Sequence, residues 1–384
     1  MLTKNISFKN FKVKKNNSKI KRIFSSLIKE KNEILLSMSK NYKNSFNNKI
    51  LNKYKNNYNF RVIGMGGSIL GTQAIYDFLK NKIKKKFSFL DNLQANKERN
   101  EKKKITNLIV SKSGNTIETI VNSNIFIKKN HKNIFITENK NNYLFQLAQK
   151  IKAEIIHHNN YIGGRYSVLS EVGMLPAELM GLKSEKFRQY NSLIKNKNFL
   201  SSLIKNVSST LFFSKNKKFN SIIINYDERS ENLFKWYQQL IAESLGKKKK
   251  GLLPIISNMP KDNHSVMQLY LDGFKNNFYT FFYVHENKSE KLKNNLLLRE
   301  LKFLKSKNIS NIMYAQKKAT EKVFNTKNIP FRSFEVKKRD EETMGQLFCF
   351  FVLETILLGK ALNIDPYNQP SVELIKKETK KILI

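Results

Sequence analysis

The stretch FRVIGMGGSILGTQAIYDFLK, residues 60–80, decides the fold class. Its first part, FRVIGMGG, is a short apolar run that ends in glycines, and its second part, SILGTQAIYDFLK, carries apolar residues at helical spacing. A strand that passes directly into a helix is the first half of a parallel β–α–β unit. We therefore predict a strand over 60–67 that is followed by a helix.

The same alternation continues along the chain. Further strands are predicted at 87–92, 105–110, 133–137, 153–158, 221–226, 278–285 and 331–336, and helices at 116–129, 142–151, 229–245 and 341–362. In the helix 116–129, one face carries Ile117, Ile120, Val121 and Ile125 at spacings of three and four residues. The charged segment 81–104 is predicted to be a surface excursion around one strand. Strands that alternate with helices predict an α/β fold with parallel sheets and right-handed crossovers.

The length of 384 residues has room for two domains and a substantial core. The predicted division is an N-terminal helical or extended segment (1–55), a first α/β domain (56–190) and a second one with C-terminal helices (191–384). A single cysteine, Cys349, allows no intramolecular disulfide and is typical of a reducing compartment, so we expect a cytoplasmic protein.

Neither a secretory signal nor a membrane span is predicted. Residues 1–24 lack the apolar core of a signal peptide, although their lack of acidic residues leaves processing of a transit peptide open. The longest apolar run, LFCFFVLETILLGKAL (347–362), is interrupted by Glu354 and is too short to cross a bilayer. It is predicted to be a buried helix.

The formal net charge of +41 suggests a nucleic-acid partner at first sight. The excess is almost entirely lysine and is spread through runs such as NKIKKKF (81–87), NEKKK (100–104) and GKKKKG (246–251). No helix-turn-helix, zinc-finger or RNA-recognition signature accompanies it. We interpret the charge as compositional drift on solvated faces, which attracts anionic substrates but predicts no specific nucleic-acid partner.

Two loops are predicted to bind phosphate. GMGGSILG (64–71) and SKSGNT (111–116) each follow a strand and precede a helix, so free N–H groups and the positive end of the helix dipole point outward. The first loop does not match the dinucleotide pattern G-x-G-x-x-G. Taken alone it could be a tight strand–helix turn, and Ser111 and Ser113 could be simple N-caps. Together the loops predict a site for a sugar phosphate.

Six motifs occur in the order found in the glucose-6-phosphate isomerase family, which the chain resembles from about residue 60 to 380. They are GMGGSILG, VSKSGNTIET, GGRYSVLSEVG, WYQQLIAESLGK, DNHSVMQLYLDG and PYNQPSVELIK. The resemblance implies two tandem sugar-isomerase (SIS) domains, each a three-layer α/β/α sandwich with a parallel sheet. It also implies an enzyme of glycolysis and gluconeogenesis that interconverts glucose 6-phosphate and fructose 6-phosphate by ring opening and proton transfer through a cis-enediolate.

The resemblance assigns a role to each matching residue. Glu243 is the expected base, since one carboxylate can remove and return a proton on one face of the intermediate. Arg165 faces the developing enediolate charge. The remaining implied roles are ring opening by His264, contact with the ring oxygen by Lys376, substrate contact by Gln239, and phosphate binding by Gly67, Ser68, Ser111, Lys112, Ser113, Thr116 and Gln369, with Thr119 as outer support.

The family pattern also implies a homodimer, in which the histidine comes from the partner subunit. We expect no metal and no cofactor, and we expect His157 and His158 to be structural. Two departures from the family pattern are Ser371, where Gly or Ala is usual, and Glu171, where a small residue is commoner. A bifunctional glucose/mannose-6-phosphate isomerase and a noncatalytic sugar-phosphate-binding SIS protein remain alternatives.

Overall fold

The computed structural model describes residues 1–13, 16–94, 104–129, 131–286 and 288–384, so part of the predicted excursion 81–104 lies outside the described residues. The described chain forms two five-stranded sheets. Their strands are β1 Ile6–Lys9, β2 Asn59–Gly64, β3 Lys86–Leu90, β4 Thr106–Val110, β5 Lys132–Thr137, β6 Glu154–His157, β7 Asn220–Asn225, β8 Leu253–Asn258, β9 Asn277–Val284 and β10 Phe331–Val336.

The helices follow the strands as predicted for an α/β chain. They are α1 Ser18–Leu27, α2 Glu33–Ser37, α3 Asn48–Tyr54, α4 Leu70–Phe78, α5 Ile117–Phe126, α6 Tyr143–Lys150, α7 Glu171–Leu179, α8 Ser184–Phe187, α9 Tyr190–Leu193, α10 Lys197–Lys215, α11 Glu231–Leu245, α12 Met267–Asp272, α13 Ile309–Thr326, α14 Glu341–Ala361 and α15 Val372–Leu383.

The order of the strands determines which loops lie next to each other at the edge of each sheet. The first sheet has the order β3-β2-β4-β5-β6 and is parallel throughout. The second has the order β1-β10-β9-β7-β8 and is parallel except for β1, whose Ile6 pairs with Val336 of β10 in an antiparallel register. Because parallel strands end at a common edge, the loops after β2 and β4 are neighbours there. The predicted α/β class with parallel sheets is confirmed.

One continuous core joins the inner faces of the two sheets. Val62 and Leu108 of the first sheet belong to it, together with Phe282 and Phe334 of the second, and helices α4, α7, α10, α11 and α14 contribute the layer between them. These side chains are buried, and removing this apolar area from water is the main source of stability for such a fold.

The outer face of each sheet has a smaller core of its own. In the first sheet, Ile109 and Phe135 pack against Phe126 of α5 and Leu144 of α6. In the second, Phe281 and its neighbours pack against α12 and α13. Helices therefore cover both faces of each sheet, which is the three-layer arrangement expected of SIS-type folds.

Helix α14 lies at the centre of the molecule. It is the one helix of the described residues that is long and apolar enough to cross a membrane, and 94% of its apolar window is buried inside the fold. The Glu354 carboxylate in its middle forms an ion pair with Arg332 and accepts hydrogen bonds from Asn206 (2.6 Å) and Tyr237 (3.1 Å). The predicted buried helix is confirmed. Glu354, which interrupts its apolar run, is the common acceptor of a buried polar network.

Several details differ from the prediction. The strand predicted over 60–67 ends at Gly64, and β1 and β8 were not predicted at all. In α5 the buried face carries Thr119, Asn122, Ser123 and Phe126, whereas Ile117 and Ile125 are more than a third exposed. The apolar spacing in α5 was therefore a poor guide to its buried face.

Candidate active site

A glycine turn after β2 forms the floor of the site. Gly66 has φ +52°, a conformation that strains other residues, and a Cβ atom on it would lie 2.6 Å from the amide nitrogen of Gln239. At Gly67 a Cβ atom would lie 2.1 Å from the carbonyl carbon of Gly164 and 2.4 Å from the Arg165 nitrogen. Only glycine allows the two turns to approach so closely, and this contact delivers Arg165 to the end of β2.

The Arg165 guanidinium is buried, and every one of its five N–H groups has an acceptor. Nε donates to Ser244 Oγ at 2.8 Å. Nη1 donates to Glu243 Oε2 at 3.3 Å and to Gln369 Oε1, and Nη2 donates to the carbonyls of Pro366 (2.8 Å) and Asn368 (3.0 Å). Ser244 and the two carbonyls therefore fix Nε and Nη2, and Nη1 is the nitrogen that faces Glu243.

Glu243 lies near the end of α11 with its side chain 25% exposed. Its Oε1 accepts a hydrogen bond from Gln239 Nε2 at 2.9 Å, one helical turn earlier. A carboxylate has about four lone-pair sites, so it retains acceptor capacity for a ligand. The structure thus brings Glu243, Arg165, Gln239, Gln369 and Gly67 together.

The loop 111–116 follows β4 and opens α5. The Ser111 and Thr116 hydroxyls lie 3.0 Å apart. Gly114 has φ +66°, and a Cβ atom on it would overlap the Asn142 amide oxygen at 1.7 Å, so the loop closes against the start of α6. The Ser113 hydroxyl is a weak acceptor for Asn115 N at 3.4 Å. In the described chain the N–H groups of Lys112 and Ser113 donate to no protein acceptor, so they are available to an anion.

Lys112 itself is partly committed elsewhere. Its Nζ donates to the carbonyl of Asn160 at 2.7 Å and lies 3.5 Å from a Glu138 carboxylate oxygen. Ser68, the phosphate-binding candidate in the loop after β2, is buried and lies against Gly64. Thr119, the expected outer support, is also buried, and its hydroxyl has no hydrogen-bond partner in the described structure. An unpartnered buried hydroxyl beside an anion-binding loop favours a ligand or water there.

A family model for phosphoglucose isomerase matches residues 51–384. The chain belongs to the phosphoglucose isomerase family. The glucose-6-phosphate isomerase of Methanocaldococcus jannaschii is 34% identical over 338 residues, which cover 83% of this chain and 82% of that relative. The resemblance inferred from the six motifs is therefore confirmed.

Solved structures agree on the fold. A hypothetical protein from Thermus thermophilus aligns over 96% of this chain and 94% of its own, with a TM-score of 0.81 and 22% identity. A glucose-6-phosphate isomerase from Chlamydia trachomatis aligns over 98% of this chain and 76% of its own, with a TM-score of 0.68 and 17% identity. The chain therefore shares its α/β fold with these two structures.

Two further residues that the family pattern marks lie on other elements. His264 ends a short 3-10 turn, Lys261–His264, after β8, and its side chain is exposed. Lys376 lies on α15, an amphipathic helix whose Leu374, Ile375, Ile382 and Leu383 are all at least 65% exposed. Exposed apolar helix faces of this kind are typical of interaction surfaces.

The departure at Glu171 has a structural explanation. Its carboxylate is buried and accepts hydrogen bonds from Tyr42 OH at 2.9 Å and from Asn159 N at 2.7 Å. His158, also buried, lies 3.9 Å from it, and burial lowers the pKa of His158 in spite of that carboxylate. The expectation that His158 is structural is consistent with this setting. Ser371 immediately precedes α15 and makes no side-chain cap.

Sequence reasoning missed the residues that hold Arg165 and its neighbours in place. Ser244 receives the Arg165 Nε–H and lies 2.9 Å from Tyr166 OH, which donates to the Pro366 carbonyl at 3.0 Å. Lys247 was counted only as surface charge, yet it binds the same segment of chain. The signal was present in the motifs AESLGK and PYNQP, but no spacing rule joins residues that are more than a hundred positions apart.

The side chains that could bind a metal ion do not cluster in the described residues. No group of three or more His, Cys, Asp or Glu side chains converges as a metal site within the ranges that the structure describes. Cys349, the single cysteine, is fully buried in α14, and burial raises the pKa of its thiol to about 12.

Proposed function

We propose that the protein interconverts glucose 6-phosphate and fructose 6-phosphate. The observation that carries the proposal is the Glu243 carboxylate, held between Gln239 and the Arg165 guanidinium beside two anion-binding loops in a chain of this family. Curated relatives that match more than 80% of the chain carry the name glucose-6-phosphate isomerase. We also propose a cytoplasmic location.

The proposed chemistry follows from this geometry. Glu243 removes the proton from C2 and returns it to C1, which needs one carboxylate on one face of the substrate. Arg165 Nη1 exchanges its bond to Glu243 or Gln369 for the developing enediolate oxygen, while Ser244 and the Pro366 and Asn368 carbonyls keep the rest of the guanidinium fixed. Fixed charge of this kind stabilises the transition state without reorganisation.

Phosphate binding is assigned to the paired loops. The groups assigned to it are the hydroxyls of Ser68 after β2 and of Ser111, Ser113 and Thr116 before α5, together with the N–H groups of Lys112 and Ser113. Thr119, in the first turn of α5, is assigned as outer support. Because the Lys112 ammonium is already bound to Asn160 and Glu138, its main contribution is its N–H group. Gln369 contacts Arg165 and is assigned to the substrate phosphate by the family pattern.

A homodimer supplies the remaining groups in this proposal. His264 is exposed at the end of the turn after β8, and ring opening at the cluster around Glu243 is assigned to the histidine of a second copy, as the family pattern implies. The exposed apolar face of α15 and the exposed Leu296, Leu298 and Phe303 offer surface for such a partner. Lys376 on α15 is assigned to the ring oxygen.

The first test is the conversion of fructose 6-phosphate to glucose 6-phosphate by purified protein with EDTA present, coupled to a dehydrogenase and run beside Glu243→Gln. We expect activity in the wild type and its loss in the variant, with phosphate affinity nearly unchanged. A Glu243→Gln variant with wild-type turnover would refute the base assignment. An inactive, well-folded wild type would redirect the search to mannose 6-phosphate and then to a binding role.

Subunit exchange tests the shared site. Glu243→Gln and His264→Ala proteins are each expected to be inactive or severely impaired. After mixing under conditions that allow exchange, half of the dimers are mixed and one of their two sites has both residues intact, so about a quarter of wild-type activity should return. Failure of mixed, exchanged samples to recover activity would place His264 and Glu243 in the same subunit's site.

A further inference from the structure

The segment Asp365–Gln369, here called the strap, joins α14 to α15 and passes directly over Arg165. It has no regular secondary structure, and in the described chain its carbonyls at 365, 366 and 368 are bonded by side chains, not by backbone N–H groups. Arg165 and Tyr166 hold it from the inside. Side-chain donors therefore hold its carbonyls, while the Tyr367 ring packs against the core and its hydroxyl accepts a hydrogen bond from Asn32 at 3.0 Å.

Lys247 holds the strap from the outside. Its Nζ donates to the carbonyls of Asp365 and Asn368, both at 2.6 Å. The Asn368 carbonyl also accepts from Arg165 Nη2, so this one oxygen links the lysine to the active-site arginine. Hydrogen bonds from a charged donor are stronger than neutral ones, and two at once fix both ends of the strap.

The run GKKKKG builds this arrangement locally. Lys247 and Lys250 exchange two backbone hydrogen bonds, at 3.1 and 2.9 Å, across a two-residue turn. Lys248 and Lys249 form the turn, with φ of 51° and 56°. The turn directs Lys247 to the strap and Lys250 to the Leu362 carbonyl at the end of α14, 2.9 Å away, while Lys248 and Lys249 point to solvent.

We propose that Lys247 is a positioning residue for the isomerase reaction, which clamps the strap so that Arg165 and Gln369 keep their places beside Glu243. The proposal rests on the proposed function for its catalytic consequence, and on geometry alone for the clamp. Without the lysine the strap loses its outer attachment, and the Pro366 and Asn368 carbonyls no longer fix Arg165 Nη2. A misplaced guanidinium binds the substrate in the ground state but stabilises the enediolate poorly.

The test compares Lys247→Met with Lys247→Arg, which keeps the charge and donors, and with the matched control Lys248→Met from the same run. Turnover and KM for fructose 6-phosphate are measured, together with amide hydrogen exchange of a peptide that spans 363–372. We expect Lys247→Met to lower kcat about 10- to 100-fold with little change in KM, as small misplacements of catalytic groups do. Exchange at Tyr367, whose N–H donates to the Asp365 carboxylate at 2.8 Å, should become faster. Lys247→Arg should recover part of both, and Lys248→Met should match the wild type.

Each other result overturns the clamp. Unchanged exchange in a folded Lys247→Met protein means that the lysine does not hold the strap. Faster exchange with wild-type kcat means that the strap does not position Arg165. Equal effects from Lys248→Met mean that only net charge matters. If Lys247→Met does not fold, Lys247→Gln replaces it under the same criteria, and Lys247→Arg remains the conservative variant. An inactive wild type would remove the proposed function, and the exchange data would still decide whether the clamp exists.

Discussion

The backbone of Gly67 lies against the backbone of Gly164 so closely that a Cβ atom on Gly67 would be 2.1 Å from the Gly164 carbonyl carbon. The two residues belong to different motifs, one after β2 and one before α7, and their contact sets the position of Arg165.

Gly67→Ala is therefore expected to displace the 164–165 backbone and to reduce turnover by about 100-fold, since angstrom-scale shifts of catalytic groups have effects of that order. The matched control is Gly163→Ala, where a Cβ atom would meet only a Tyr166 ring carbon at 4.0 Å. Coupled assays and thermal unfolding of both variants check this. Similar turnover for the two would show that the contact does not position the arginine.

Lys249→Gly should stabilise the protein by about 0.5–1 kcal/mol, because a left-handed backbone strains a lysine more than the extra freedom of glycine destabilises the folded state. Turnover should not change. Lys293→Gly, at an exposed lysine with φ −78°, is the control and should be neutral or destabilising. Urea unfolding measures both. A loss of stability in Lys249→Gly would mean that the turn does not hold the left-handed conformation in solution.

Glu354→Gln should lower the free energy of unfolding by about 3 kcal/mol, because it leaves the fully buried Arg332 guanidinium without its counter-charge. The exposed pair Glu231–Lys235, with side chains 38% and 47% exposed, supplies the comparison. Glu231→Gln should have no resolvable effect. Equal stability of the two variants in denaturant titrations would contradict a structural role for the buried network.

Stability should fall as pH drops below about 6.5, partly through His158. Burial lowers its pKa in the folded protein, so the unfolded chain binds the proton more readily. The contribution is fully present above the unfolded pKa and is lost as pH falls toward the folded one. His158→Gln should flatten the dependence of unfolding free energy between about pH 7 and 5. Parallel slopes for wild type and His158→Gln would exclude this origin.

The strands that sequence reasoning found are those with long β-branched and aromatic runs. Strands such as β4, β7 and β10 match their predicted bounds within one residue. It missed β1, four residues at a sheet edge among lysines, and β8, which carries Pro254 near its start. Their strand conformation comes from pairing with β10 and β7 across long sequence separations, and local propensity does not report that. The boundaries 1–55, 56–190 and 191–384 stay predictions.

The site residues that could be predicted are those that lie within a single recognisable motif. The motifs placed Arg165, Glu243, Gln239 and Gln369 on the list of candidates, and the structure brings these four together. The strap contacts were not predictable, because Lys247 and Asp365 are 118 positions apart and meet only in the folded chain. The same holds for α5, whose exposed Ile117 and Ile125 have the spacing of a core face. The roles of the candidate residues stay predictions until they are tested.

The pairing of β1 with β10 has a consequence for synthesis of the protein. The ribosome makes β1, Ile6–Lys9, long before its partner, Phe331–Val336. Throughout elongation β1 has no β10 beside it, and a nascent chain that stops before residue 331 leaves it with an unpaired edge. The pairing of β1 with β10, which completes the second sheet, is therefore a late event of folding. It can occur only after β10 has been translated.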